Sequence, residues 1–85
     1  MTGEELLTHA GSIVRDRRRT YGEPELLFKR VAQRWSQHLG IKVTASQVAL
    51  CLCDLKLARL TVDPRHLDSL VDLAGYAAIV REVQR

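Results

Sequence analysis

Two runs dominate this chain, Cys51-Leu52-Cys53-Asp54-Leu55-Lys56-Leu57-Ala58-Arg59-Leu60 and Asp68-Ser69-Leu70-Val71-Asp72-Leu73-Ala74-Gly75-Tyr76-Ala77-Ala78-Ile79. Both are apolar nearly all round, as helices in the middle of a bundle are. Yet the first carries Lys56 and Arg59, and the second Asp68 and Asp72. A charge on such a helix needs a partner, a metal or a ligand, because burying it alone is costly. What those four groups face decides what the chain does.

The 85 residues make one domain, spanning 1–85, and a small one. A domain this short buries only roughly 60% of its unfolded surface, so it needs tight packing or a second copy. Its apolar volume comes from Leu, Val and Ala rather than aromatics, which suits helices better than strands. A formal charge of +3 is modest, and much of it sits in Arg15, Arg17, Arg18 and Arg19; a dedicated DNA-binding domain shows a larger excess along one face. Cys51 and Cys53 are two apart, so on a helix they point to different sides and cannot bond to each other. They read as buried, reduced thiols of a cytoplasmic protein. No stretch is long and apolar enough for a membrane span, and the start lacks the pattern of a signal peptide.

Helix signals run the length of the chain, and no strand pattern competes with them. Thr2 with Glu5 makes a capping box, and Leu6, Leu7, Ala10, Ile13 and Val14 then repeat at helical spacing, predicting a helix over 3–17. Gly22 and Pro24 mark a break and a new start. The second helix places Leu27, Phe28, Val31, Ala32, Trp35 and Leu39 on one face and ends at the Gly40 cap. Thr44 and Gln47 form a second capping box, with Val43 and Val48 as its hydrophobic staple, opening a helix over 45–60. Asp63-Pro64 reads as an N-cap with proline at the first position of a fourth helix reaching 83. The fold class is therefore all-α, a compact bundle of four helices with short antiparallel connections. Val48, Leu52, Leu55, Leu70, Val71 and Ala74 should lie near its centre.

If the last two helices turn near Val62, Lys56 is level with Asp68, and Arg59 lies a turn nearer the loop. Lys56 and Arg59 share one face, and Asp68 and Asp72 share another, with Tyr76 a turn further along. Two readings stand at this point. One is an interhelical salt-bridge network that fixes register. The other is a site in which Asp68 and Asp72 hold Mg²⁺ while Lys56 and Arg59 grip phosphate oxygens. The arginine run has two readings as well: a solvated helix end, or a plate of Tyr21 beside guanidinium groups that holds a base and its phosphates. His9, His38 and His66 show no mutual ligand spacing, and no glycine-rich phosphate loop, nucleophile elbow or helix-turn-helix pattern occurs.

Several pieces taken together resemble a known small domain of phages and prophages, itself of unknown function. They are Thr20-Tyr21-Gly22-Glu23-Pro24, Phe28-Lys29-Arg30-Val31-Ala32 with Trp35, Leu55-Lys56-Leu57-Ala58-Arg59-Leu60, and Asp68-Ser69-Leu70-Val71-Asp72-Leu73-Ala74-Gly75-Tyr76-Ala77. That domain is similar to the MazG-type all-α nucleoside triphosphate pyrophosphohydrolases, helical bundles that oligomerise and use Mg²⁺ to split a nucleotide into monophosphate and pyrophosphate. Those enzymes hold metal through a Glu-x-x-Glu motif and a later Glu-x-x-Asp motif. Asp72 matches the final acid of the second; Ser69 stands at its Glu position, with Asp68 beside it, and the first motif is absent.

The resemblance implies a MazG-like, nucleotide-binding homo-oligomer, at least a dimer, with Mg²⁺-dependent hydrolysis as the activity of its relatives. Asp68 and Asp72 would hold metal, Arg18, Lys56 and Arg59 would take phosphates, and Tyr21 would contact the base. The rival expectation is a noncatalytic phage protein that binds a host protein or nucleic acid through Arg17–Arg19.

Overall fold

A computed structural model describes residues 1–84, which form four helices: α1 (Gly3–Tyr21), α2 (Pro24–Leu39), α3 (Ala45–Val62) and α4 (Leu67–Val83). No strand occurs among the described residues. The all-α expectation holds, and so do both capping boxes. The Glu5 N–H donates to Thr2 Oγ1 at 3.1 Å, and the Gln47 N–H donates to Thr44 Oγ1 at 3.2 Å. In return Gln47 Oε1 accepts from the Thr44 N–H at 2.9 Å. Gly40 ends α2 in the left-handed region, at φ 68°, a conformation that costs other residues strain.

The α3–α4 hairpin is the most extensive packing in the molecule, with α2 laid across both helices and α1 mainly against α4. Phe28, Ala32, Val48 and Ala49 form the buried centre, and Leu27, Val31, Trp35, Val43, Leu52, Tyr76 and Ile79 close around it. The thinnest dimension of the molecule is 20 Å. That is about two helix diameters, so no helix is covered on all sides.

The structure corrects four expectations. The first helix runs a full turn past Arg17 to Tyr21, because nothing before Gly22 (φ 84°) forces the chain out of helix. Asp63 does not cap α4. Its N–H still donates to Arg59 O at 3.0 Å, closing α3, and its Oδ1 accepts from the Arg65 N–H at 3.1 Å. The cap of α4 is His66, whose Nδ1 accepts from the Ser69 N–H at 3.3 Å and lies 2.7 Å from Ser69 Oγ. Leu55 is not central but 47% exposed, and Cys51 is exposed rather than buried. Both lie on the side of α3 that the thin bundle leaves open. Cys53 is half-buried, and burial, followed by the nearby Asp54 carboxylate, pushes its thiol above the usual cysteine range.

Gly75 lies where α1 crosses α4, but a methyl group there would stand 3.7 Å from Val14 Cγ2, an ordinary van der Waals contact. Gly75→Ala is therefore expected to stabilise the fold, by up to about 1 kcal/mol of helix propensity. Thr44→Ala is expected to lower stability by about 1 kcal/mol through loss of the α3 cap. Urea denaturation of the two variants beside the parent checks both signs.

Candidate functional site

Helix α3 ends only at Val62, so residues 63–66 form the turn and the midpoint of the hairpin falls near Pro64 rather than Val62. That shift changes which charges meet. Lys56 lies level with Asp72, not Asp68, and Lys56 Nζ stands 3.0 Å from Asp72 Oδ2. Lys56 is 9% exposed, and the Asp72 side chain is about one-fifth exposed. Arg59 and Asp68 are both exposed, and neither forms an ion pair among the described residues. Of the four-charge cluster, one pair is brought together.

The longer α1 reorganises the arginine run. Arg17 and Tyr21 are one turn apart and share a face, while Arg18 falls on a neighbouring one. Arg18 Nη2 donates to Glu82 Oε1 of α4 at 3.0 Å, and its Nε lies 3.5 Å from Glu23 Oε2. Arg18 thus ties the end of α1 to the far end of α4. Its Nε is shielded from solvent and makes no hydrogen bond of its own, so the hold on Glu23 is electrostatic.

Arg17, Tyr21 and Tyr76 line a cleft of about 360 Å³ whose remaining wall is apolar, including Leu27, Phe28, Val48 and Leu52. A small recess of about 40 Å³ continues past Arg17, Tyr76 and Ile79 to Asp72. Of the expected site residues, Tyr21 lines the cleft and Asp72 lines the recess, while Arg18, Lys56, Arg59 and Asp68 line neither. Reading the sequence placed Arg17 only in the basic run Arg17–Arg19 and not in the nucleotide site, because it ended α1 at that residue; the i, i+4 spacing of Arg17 and Tyr21 was the signal. A larger groove, about 730 Å³, runs past Lys29, Ser36, Lys42 and Thr44. Of its polar lining, Ser36 Oγ accepts from the Val43 N–H at 2.9 Å and Thr44 caps α3, while Lys29, Gln33, Gln37, Lys42 and Ser46 form no side-chain hydrogen bond or ion pair among the described residues.

For a metal, α4 offers Asp68 and Asp72, and the second is held by Lys56. Among the described residues no three His, Cys, Asp or Glu side chains converge. This donor set falls short of the two acidic motifs of the MazG-type enzymes, and no hydrolytic step follows from it. No helix is long and apolar enough to cross a membrane among the described residues.

Residues 5–84 match the family model described as domain of unknown function DUF6378. The chain belongs to that family. It is 33% identical over 81 residues to the Gene 55 protein of Mycobacterium phage L5, covering 93% of this chain and 52% of that protein. It is 32% identical over 81 residues to the Gene 55 protein of Mycobacterium phage D29, covering 94% of this chain and 54% of that protein. The chain spans about half the length of these curated relatives. No solved structure matches it.

Removing one member of the pair leaves the other unpaired in apolar surroundings. Asp72→Asn is expected to destabilise the fold by about 1–3 kcal/mol, below the range for fully buried pairs because the carboxylate is partly solvated. The double variant Lys56→Met with Asp72→Leu is expected to recover most of that loss, since an apolar pair of similar size replaces a buried ion pair at little cost. Thermal and urea unfolding of the single and double variants measure the difference.

Proposed function

We propose that this domain binds a nucleotide in the cleft between α1, α2 and the α3–α4 hairpin, as a MazG-like relative that lacks the full acidic set. The observation that carries the reading is the lining of the cleft: two tyrosines and an arginine around an otherwise apolar hollow of about 360 Å³. That volume lies within the range of small-molecule sites, which are mostly apolar with a few placed polar groups. A base stacks on Tyr21 or Tyr76, and Arg17 takes a phosphate. Asp72 lines the recess at the far end and is held there by Lys56. Arg18 reaches phosphate only in competition with Glu82 and Glu23, and Arg59 only from the exposed end of α3. Asp68 and Asp72 would be the carboxylates for Mg²⁺ beside the phosphates, with Asp72 giving up its contact with Lys56, and the ion would supply neutralisation of phosphate charge there. The uncovered apolar side of α3 favours association with a second copy.

Noncatalytic binding of a host protein or nucleic acid through Arg17–Arg19 has less support. Arg17 lines the cleft and Arg18 is ion-paired, which leaves Arg19 alone of the three facing solvent without such a role.

A thermal-shift panel of nucleoside mono-, di- and triphosphates, each with and without Mg²⁺, tests the proposal. A ligand at a hundred times its Kd adds about 2.7 kcal/mol, a shift on the order of 10 °C for a domain of this size. The shift is expected to be lost in Tyr21→Ala and Arg17→Ala, and its Mg²⁺-dependent part in Asp68→Asn. A flat panel would remove the nucleotide reading. Binding of oligonucleotides that weakens steeply with salt would favour the rival.

A further inference from the structure

On α3, Cys51, Leu55, Ala58 and Val62 follow one another at spacings of four, three and four, which sets them in one stripe along the helix. All four are exposed, Leu55 by 47% and Val62 by 89%. The opposite side of the helix buries Ala49 and Lys56. Asp54 immediately precedes Leu55 and Arg59 immediately follows Ala58, so these charges edge the stripe on its two opposite flanks. Both are exposed, and neither has an ion-pair partner among the described residues.

We infer that this stripe is the seam of a parallel twofold dimer of the chain, in which Asp54 of each copy pairs with Arg59 of the other. Symmetry makes the direction decisive. A twofold axis running along the helices sets opposite flanks of the two copies face to face, offset by five residues. Five is the separation of Asp54 and Arg59, so both pairs form at once. An antiparallel seam sets like flanks together, Asp54 near Asp54 and Arg59 near Arg59, and like charges across an interface suppress that arrangement. Small residues at Cys51 and Ala58 let the helices approach. The inference rests on the self-association included in the proposed function and adds its direction and its partner charges.

The parallel seam places Cys51 against its own equivalent, and an antiparallel one does not. Light scattering over micromolar concentrations is expected to show a dimer, and diamide oxidation to link it through Cys51. The link should vanish in Cys51→Ser and persist in Cys53→Ser, because the Cys53 thiol is held above its usual range and reacts slowly. Asp54→Lys should weaken association roughly tenfold and lower the yield of the link. Asp54→Lys with Arg59→Asp should restore both. These positions are exposed, so the variants keep the fold, and circular dichroism verifies it. A dimer that does not link through Cys51, or that the double reversal fails to restore, overturns the parallel seam while leaving self-association standing. A monomer at every concentration overturns both.

Discussion

The structure depends most on the ion pair between Lys56 and Asp72. Two helices that are apolar all round carry little in their hydrophobic pattern to fix their register. Sliding α4 by one turn along α3 sets leucine against leucine as before. The 3.0 Å contact between Lys56 Nζ and Asp72 Oδ2 breaks that degeneracy, because a slip parts the two and, even where Asp68 takes the place of Asp72 beside Lys56, leaves Asp72 without its partner. Register-setting is the best-attested use of buried polar pairs, and it comes at the expense of stability rather than adding to it. The other helices are laid on this frame. Helix α2 presents Phe28 and Ala32 to Val48 and Ala49, and α1 is tied to the far end of α4 by Arg18 and Glu82.

Helix identity was legible wherever a cap was local. Thr2 with Glu5 and Thr44 with Gln47 each close a ring within four residues, so the sequence pattern is the interaction itself. The α3–α4 turn was not legible, because two local signals competed there. Asp63-Pro64 reads as a helix start. Asp63 instead serves the end of α3 and the turn, and His66, an unusual cap, begins α4. A displacement of about two residues in the turn then moved the partner of Lys56 by a full helical turn, from Asp68 to Asp72.

The candidate site shows the same sensitivity. The acids, the bases and Tyr21 were all visible as residue types, but their company depended on where α1 stops. Ending it at Arg17 treats the arginines as one basic patch. Continuing it to Tyr21 distributes them around a helix, so that Arg17 lines the cleft and Arg18 goes to Glu82. Leu55 and Cys51 were misplaced for a different reason. An all-round apolar helix announces that it is to be covered, but not by what, and within a single copy the bundle is too thin to cover α3.

The cleft and the uncovered stripe are neighbours on one helix, which would tie the proposed binding to the proposed assembly. Leu52 lines the cleft, and Cys51 and Leu55 lie on the stripe to either side of it in sequence. A partner seated on the stripe borders the cleft without filling it. It also restrains the segment of α3 that carries Leu52 and, one turn on, Lys56. Any ligand that prefers the restrained helix then strengthens association, and association strengthens ligand binding by the same factor, because the two share one coupling free energy. A lone domain with a cleft open at one side and an apolar helix open at the other holds both surfaces at some cost in stability. For a ligand with that preference, filling either one lowers the cost of filling the other.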